Sequence, residues 1–125
     1  MRKDYLKYTD IELYQDEDMF KYNSDTTALG MSLEPMKNRS VLDMGCNNGS
    51  LLLYAYLKGA TQFIGCDIFQ KALDLAKLNL EKYTDNIELH CCRVQDLEID
   101  PVDVVICNPP YFKMTRDIKE NEYYK

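Results

Sequence analysis

Between residues 40 and 108 the chain alternates short apolar, β-branched runs with stretches whose apolar residues recur at helical spacing. SVLDMG (40–45) has the pattern of a buried strand. Gly49 opens a helix over SLLLYAYLK, which Gly59 closes, since glycine enters the left-handed region at a helix end without a Cβ penalty. TQFIGCD is a second strand, and Phe69, Ala72, Leu73, Ala76 and Leu80 then form one apolar stripe on a helix over about 69–83. Its other face carries Lys71, Asp74, Lys77 and Glu81. NIELHCCRV and PVDVVICN supply a third and a fourth strand. Strand and helix in alternation predict an α/β fold, a parallel sheet with right-handed crossovers wound like a Rossmann domain, and that likeness implies strand order 3-2-1-4 with helices on both faces.

The first 39 residues read differently. They are rich in Asp, Glu, Lys and Tyr, and a short alternation at 11–14 predicts an edge hairpin. Ser24 or Asp25 caps a helix running to about Leu33, and Pro35 stops it. With 125 residues the expectation is a single domain over 1–125, divided into a leader (1–39) and a Rossmann-like core (40–125).

Composition narrows the function classes. The chain is 46% hydrophobic and 29% charged, the balance of a globular protein. No apolar run reaches the roughly 20 residues of a bilayer span, and the N-terminus lacks a secretory signal, so the expectation is a cytoplasmic protein with no membrane partner. The net charge of −6 predicts weak affinity of this segment for nucleic acid. Cys46, Cys66, Cys91, Cys92 and Cys107 are odd in number and lack C-x-x-C spacing, and His90 is the only histidine. The pattern fits neither a disulfide framework nor a metal site, and it predicts reduced core thiols and a structural His90.

In wound parallel sheets ligands bind beyond the carboxyl ends of the strands, so those ends are read together. LDMGCNNG leads from Asp43 through Gly45 and Gly49 into a helix start, where a missing Cβ lets a ligand approach the backbone and first-turn N–H groups are available; a tight turn needs the same glycines. Asp67 follows Gly45 by 22 residues, close to the spacing of roughly 20 at which an acid accepts two ribose hydroxyls; it is equally placed to cap the helix near Phe69, and the two roles are compatible. Asp96, after the third strand, is either an acceptor for an adenine amino group or a surface acid. At the end of the fourth strand Pro109 and Pro110 forbid helix and stiffen the backbone, presenting the Asn108 amide oxygen and the Pro109 carbonyl as adjacent acceptors for a planar NH2 group. Tyr111 offers a stacking face there, unless the four residues serve only as a turn.

Together these residues resemble the class I S-adenosylmethionine-dependent methyltransferases, and within them the amino-methylating group with an Asn-Pro-Pro-Tyr motif. DEDMFKYNSDTTALGMSLEP ahead of the first strand, with Phe112 and Lys113 after the motif, looks more narrowly like the bacterial tRNA1(Val) adenine-N6 methyltransferase family. The resemblance implies S-adenosylmethionine as cofactor, held by Asp25 and Thr26 of the leader, by Asp43, Gly45, Cys46, Asn47 and Gly49 of the loop, and by Asp67, Ile68, Asp96 and Asn108. It implies catalysis by Asn108, Pro109, Pro110 and Tyr111, and a tRNA substrate. Glutamine methylation of release factors uses the same motif and is the alternative enzyme reading. An NAD-type Rossmann protein is disfavoured, because GCNNG lacks the G-x-G-x-x-G spacing.

Two departures from the family pattern shape the expectation. Asn47 stands where the family loop usually has glycine. The family also continues beyond the fourth strand, so the chain reads as a truncated cofactor-binding domain with little activity alone, able to self-associate through an exposed strand-4 edge.

Overall fold

In the computed structural model, residues 2–16 and 24–108 are described. Strands β1 (Arg2–Tyr5) and β2 (Glu12–Gln15) pair antiparallel as a separate two-stranded sheet, which realises the hairpin expected around 11–14. Helix α1 (Ser24–Ser32) follows. The core is β3 (Ser40–Met44), α2 (Ser50–Leu57), β4 (Gln62–Asp67), α3 (Gln70–Leu80), β5 (Ile87–Cys91), a 3-10 turn at Val94–Asp96 and β6 (Val104–Cys107).

The four core strands are parallel in the order β5-β4-β3-β6, which is the expected 3-2-1-4. Their register is latched at the start: Asp103 Oδ2 accepts from the Ser40 backbone N–H (2.9 Å) and hydroxyl (3.2 Å), while the Asp103 N–H donates to Ser40 Oγ (3.0 Å). The Ser40 amide holds the Asp103 carboxyl below its ordinary range. That latch aligns Met44 with Cys107, so the chain leaves both strands side by side at Gly45 and Asn108.

Among the described residues α1 packs against α2 and α2 against α3. Steps from β3 to β4 to β5 run in one direction, and right-handed crossovers in one direction place their helices on one face. The reversing connection from β5 to β6 holds only the 3-10 turn. Helix α2 is apolar all round because it lies between neighbours: Ser50 through Ala55 are all buried. Around it, Val41, Phe63 and Ile106 of the sheet, Leu73, Ala76 and Leu80 of α3, and Leu6, Ile11 and Leu13 of the hairpin form one core cluster.

The α3 stripe shifts slightly from the expected one. Ala72, Leu73, Ala76 and Leu80 are buried, but Phe69 is 59% exposed in an extended N-cap position, and Leu75 and Asn79 join the buried face. The expected core thiols are two, Cys46 and Cys66; Cys91 and Cys107 are exposed.

Candidate functional site

The loop after β3 is hooked onto the end of β4. The N–H groups of Gly45 (2.8 Å) and Cys46 (3.0 Å) both donate to the Cys66 carbonyl. Asn47 donates its N–H to Asp67 Oδ2 (3.0 Å), and the Phe69 N–H takes Asp67 Oδ1 (3.0 Å). Asp67 therefore does tether the start of α3, and it ties the loop as well. A carboxylate offers about four lone-pair sites, so half-buried Asp67 keeps acceptor capacity beyond these two bonds. Gly45 has φ +76, and a Cβ built there would meet nothing within 4 Å, so that backbone faces open space. Asn47 sits at φ 49, the left-handed region that asparagine tolerates better than most residues, which explains how it replaces glycine.

Close packing shapes the loop from below. A Cβ on Gly65 would lie 2.8 Å from Cys46 Sγ, so glycine at that β4 position makes room for the Cys46 side chain. Asp43 is 1% exposed; burial, and then the Asp67 charge, push its carboxyl well above the usual range, and its Oδ1 has no partner among the described residues. Burial, with Asp43 and Asp67 adding, likewise pushes up the Cys46 thiol, which is therefore inert rather than nucleophilic. A buried carboxyl with an unpartnered oxygen, spare acceptor capacity on Asp67 and open space above Gly45 fit a group rich in hydroxyls or other donors.

At the neighbouring strand end, Asn108 meets the leader. Its Nδ2 donates to Thr26 Oγ1 of α1 at 3.1 Å. Asp25, Ala28, Leu29, Cys107 and Asn108 line a cavity of about 450 Å³ between α1 and β6. Asp25 is exposed at its rim and Thr26 is buried. Ile68 lies at the edge of the Asp67 side, 58% exposed, its carbonyl accepting from Cys91 Sγ (3.6 Å).

Asp96 is not drawn into this cluster: its carboxylate pairs with Arg93 Nε (3.3 Å), both side chains 57% exposed, an ordinary surface pair. Pro109, Pro110 and Tyr111 lie outside the described residues, as do Phe112 and Lys113. Two residues escaped the sequence reading. Asn48, 1% exposed, accepts the N–H of Ser50, the first residue of α2, on Oδ1 (3.1 Å), and its Nδ2 has no partner among the described residues. Asn79, fully buried, accepts the Tyr14 N–H (2.7 Å) and donates to the Tyr14 carbonyl (3.0 Å) and the Asn48 carbonyl (2.8 Å). A polar residue inside the apolar stripe of α3 was the available signal for Asn79.

Comparison with known proteins agrees with this geometry. Residues 41–121 match the family described as a methyltransferase domain. A Methanocaldococcus jannaschii protein described as a candidate protein N5-glutamine methyltransferase is 29% identical over 113 residues, 90% of this chain and 57% of that protein. The tRNA1(Val) (adenine(37)-N6)-methyltransferase of Vibrio campbellii is 28% identical over 121 residues, 94% of this chain and 51% of that enzyme. Among solved structures, a candidate RNA methyltransferase of Pyrococcus horikoshii superposes with TM-score 0.61 at 28% identity, over 69% of this chain and 44% of that one. A candidate S-adenosylmethionine-dependent methyltransferase of Listeria monocytogenes gives 0.56 at 27%, over 64% and 38%.

The chain belongs to the methyltransferase-domain family and has the class I methyltransferase fold. It spans about half the length of these two curated relatives.

Proposed function

We propose that this chain holds S-adenosylmethionine over the Gly45–Gly49 loop and directs its methyl group onto an exocyclic amine, adenine N6 in RNA. The observation that carries the reading is the pairing of β3 with β6, which sets the cofactor loop and Asn108 side by side at one sheet end. Asp67 retains lone pairs for ribose hydroxyls, Gly45 leaves the approach open, and Asn108 lines the adjoining cavity. Bound there, S-adenosylmethionine would supply an electrophilic methyl group for the amine nitrogen, which would release its proton to water.

Adenine N6 is a poor nucleophile because its lone pair is delocalised into the ring. In this reading Asn108 Oδ1 and the Pro109 carbonyl accept the two N6 hydrogens, turning the nitrogen toward the donor and favouring pyramidal character, while Tyr111 stacks on the base. Orientation and electrostatics then carry the rate without a strong base. Similarity over 94% of the chain to the Vibrio tRNA enzyme supports an RNA acceptor. A glutamine side-chain amide presents the same planar NH2, and similarity to the Methanocaldococcus protein favours it as the second reading.

Titration calorimetry with S-adenosylmethionine and S-adenosylhomocysteine tests the cofactor site. Both ligands are expected to bind, and Asp67→Ala to weaken them about tenfold or more, since a hydrogen bond to a charged group contributes roughly 1.5–3 kcal/mol. Absence of binding at millimolar ligand would remove the cofactor assignment. A labelled-methyl assay offering unmodified tRNA and a glutamine-bearing release-factor protein separates the acceptors: label in tRNA supports adenine, and label in protein alone moves the conclusion to glutamine.

A further inference from the structure

An asparagine amide has two ends of similar shape and opposite character, and a site that uses its oxygen must keep its nitrogen occupied elsewhere. Asn108 Nδ2 is occupied by Thr26 Oγ1 at 3.1 Å, across 82 residues of sequence. Asn108 Oδ1 has no hydrogen bond among the described residues, and Asn108 lines the cavity between α1 and β6. Thr26 is only 7% exposed, so water competes little for this bond. The helix that carries Thr26 is itself held closely. Gly30 lies against the Tyr54 ring of α2, and Tyr54 donates its hydroxyl to the Lys7 carbonyl of the hairpin turn (3.0 Å). Were the amide reversed, an NH2 group would face the substrate's own NH2, donor against donor.

We propose that Thr26 is a positioning residue: its hydroxyl accepts from Asn108 Nδ2 and thereby keeps the Asn108 oxygen available to the acceptor amine. The proposal rests on the reading of Asn108 as the amine-holding residue, and it gives Thr26 a role other than contact with the cofactor. The leader helix then supports the reacting geometry directly, through one hydroxyl.

Thr26→Val removes the hydroxyl at nearly constant shape, and Thr26→Ser keeps it. The first readout needs no substrate: the side-chain 15N–1H2 signals of Asn108, assigned by their loss in Asn108→Asp, report the bond by solvent exchange. Exchange is expected to rise at least about tenfold in Thr26→Val and to remain near wild type in Thr26→Ser. The second readout is methyl transfer to unmodified tRNA, or to the glutamine-bearing protein if that is what the wild type labels. kcat should fall about tenfold or more in Thr26→Val, with S-adenosylmethionine affinity by calorimetry within about twofold, and Thr26→Ser should recover it. Unchanged Asn108 exchange in Thr26→Val, or a loss of cofactor affinity in step with kcat, overturns the proposal. Should the wild type label neither acceptor, the acceptor assignment falls, while the Asn108 exchange result still decides for or against the Thr26 bond.

Discussion

Asp43 is the residue at which burial weighs most directly on a charge. Its raised pKa means that the folded chain binds a proton which the unfolded chain has released above about pH 4. The contribution to stability is therefore fully present below the unfolded pKa and is lost as pH rises toward the folded one. Thermal melts between pH 4 and 8 should show Asp43→Asn gaining stability relative to wild type as pH increases, with the two converging at the acid end. A difference independent of pH would mean that Asp43 is ionised in the fold and compensated. Asp43 and Asp67 were both legible as acids at strand ends. Which of them is buried was not, because depth depends on what α2 and α3 place above them.

At the scale of elements, two glycines set how closely the layers approach. A Cβ on Gly30 would collide with the Tyr54 ring, so α1 sits directly on α2. Gly30→Ala should cost about 1–3 kcal/mol in chemical denaturation, the usual range for overpacking, and should lift α1 away from Asn108. Solvent exchange of the Asn108 side-chain amide would rise with it; a stability loss without that rise would show that α1 can re-seat. Gly65 plays the matching part under Cys46, and Gly65→Ala should weaken S-adenosylmethionine binding by displacing the loop, measurable by calorimetry. The core elements were readable in advance because the periods of strand and helix write their buried faces into the local sequence. That α2 and α3 share a face follows from direction: strands added on one side in succession keep their crossover helices together.

Across the molecule, the N-terminal hairpin is joined to the core by Asn79, whose amide pairs with both backbone groups of Tyr14 and with the Asn48 carbonyl. One buried side chain thus acts as a strand partner for the hairpin and a brace for the loop after β3. Asn79→Ala leaves those three backbone groups without their side-chain partner, at roughly 1–3 kcal/mol for each that stays buried and unsatisfied. Denaturation should show a loss of several times ~1 kcal/mol, and proteolysis should cut within 1–16 before the core; cleavage spread evenly over both would contradict the brace.

By itself, the sequence determined the order of the core elements and the parallel sheet, which follow from periodicity, glycine placement and the handedness of crossovers, while its 3-2-1-4 winding was an expectation carried by the likeness to Rossmann-type folds. Only the tertiary structure decided that Asn79 holds Tyr14 across 65 residues, that Thr26 holds Asn108 across 82, and that Asp96 turns to Arg93. A repeating face leaves a local record in the chain, whereas a single polar contact between distant segments leaves none until the fold brings them together.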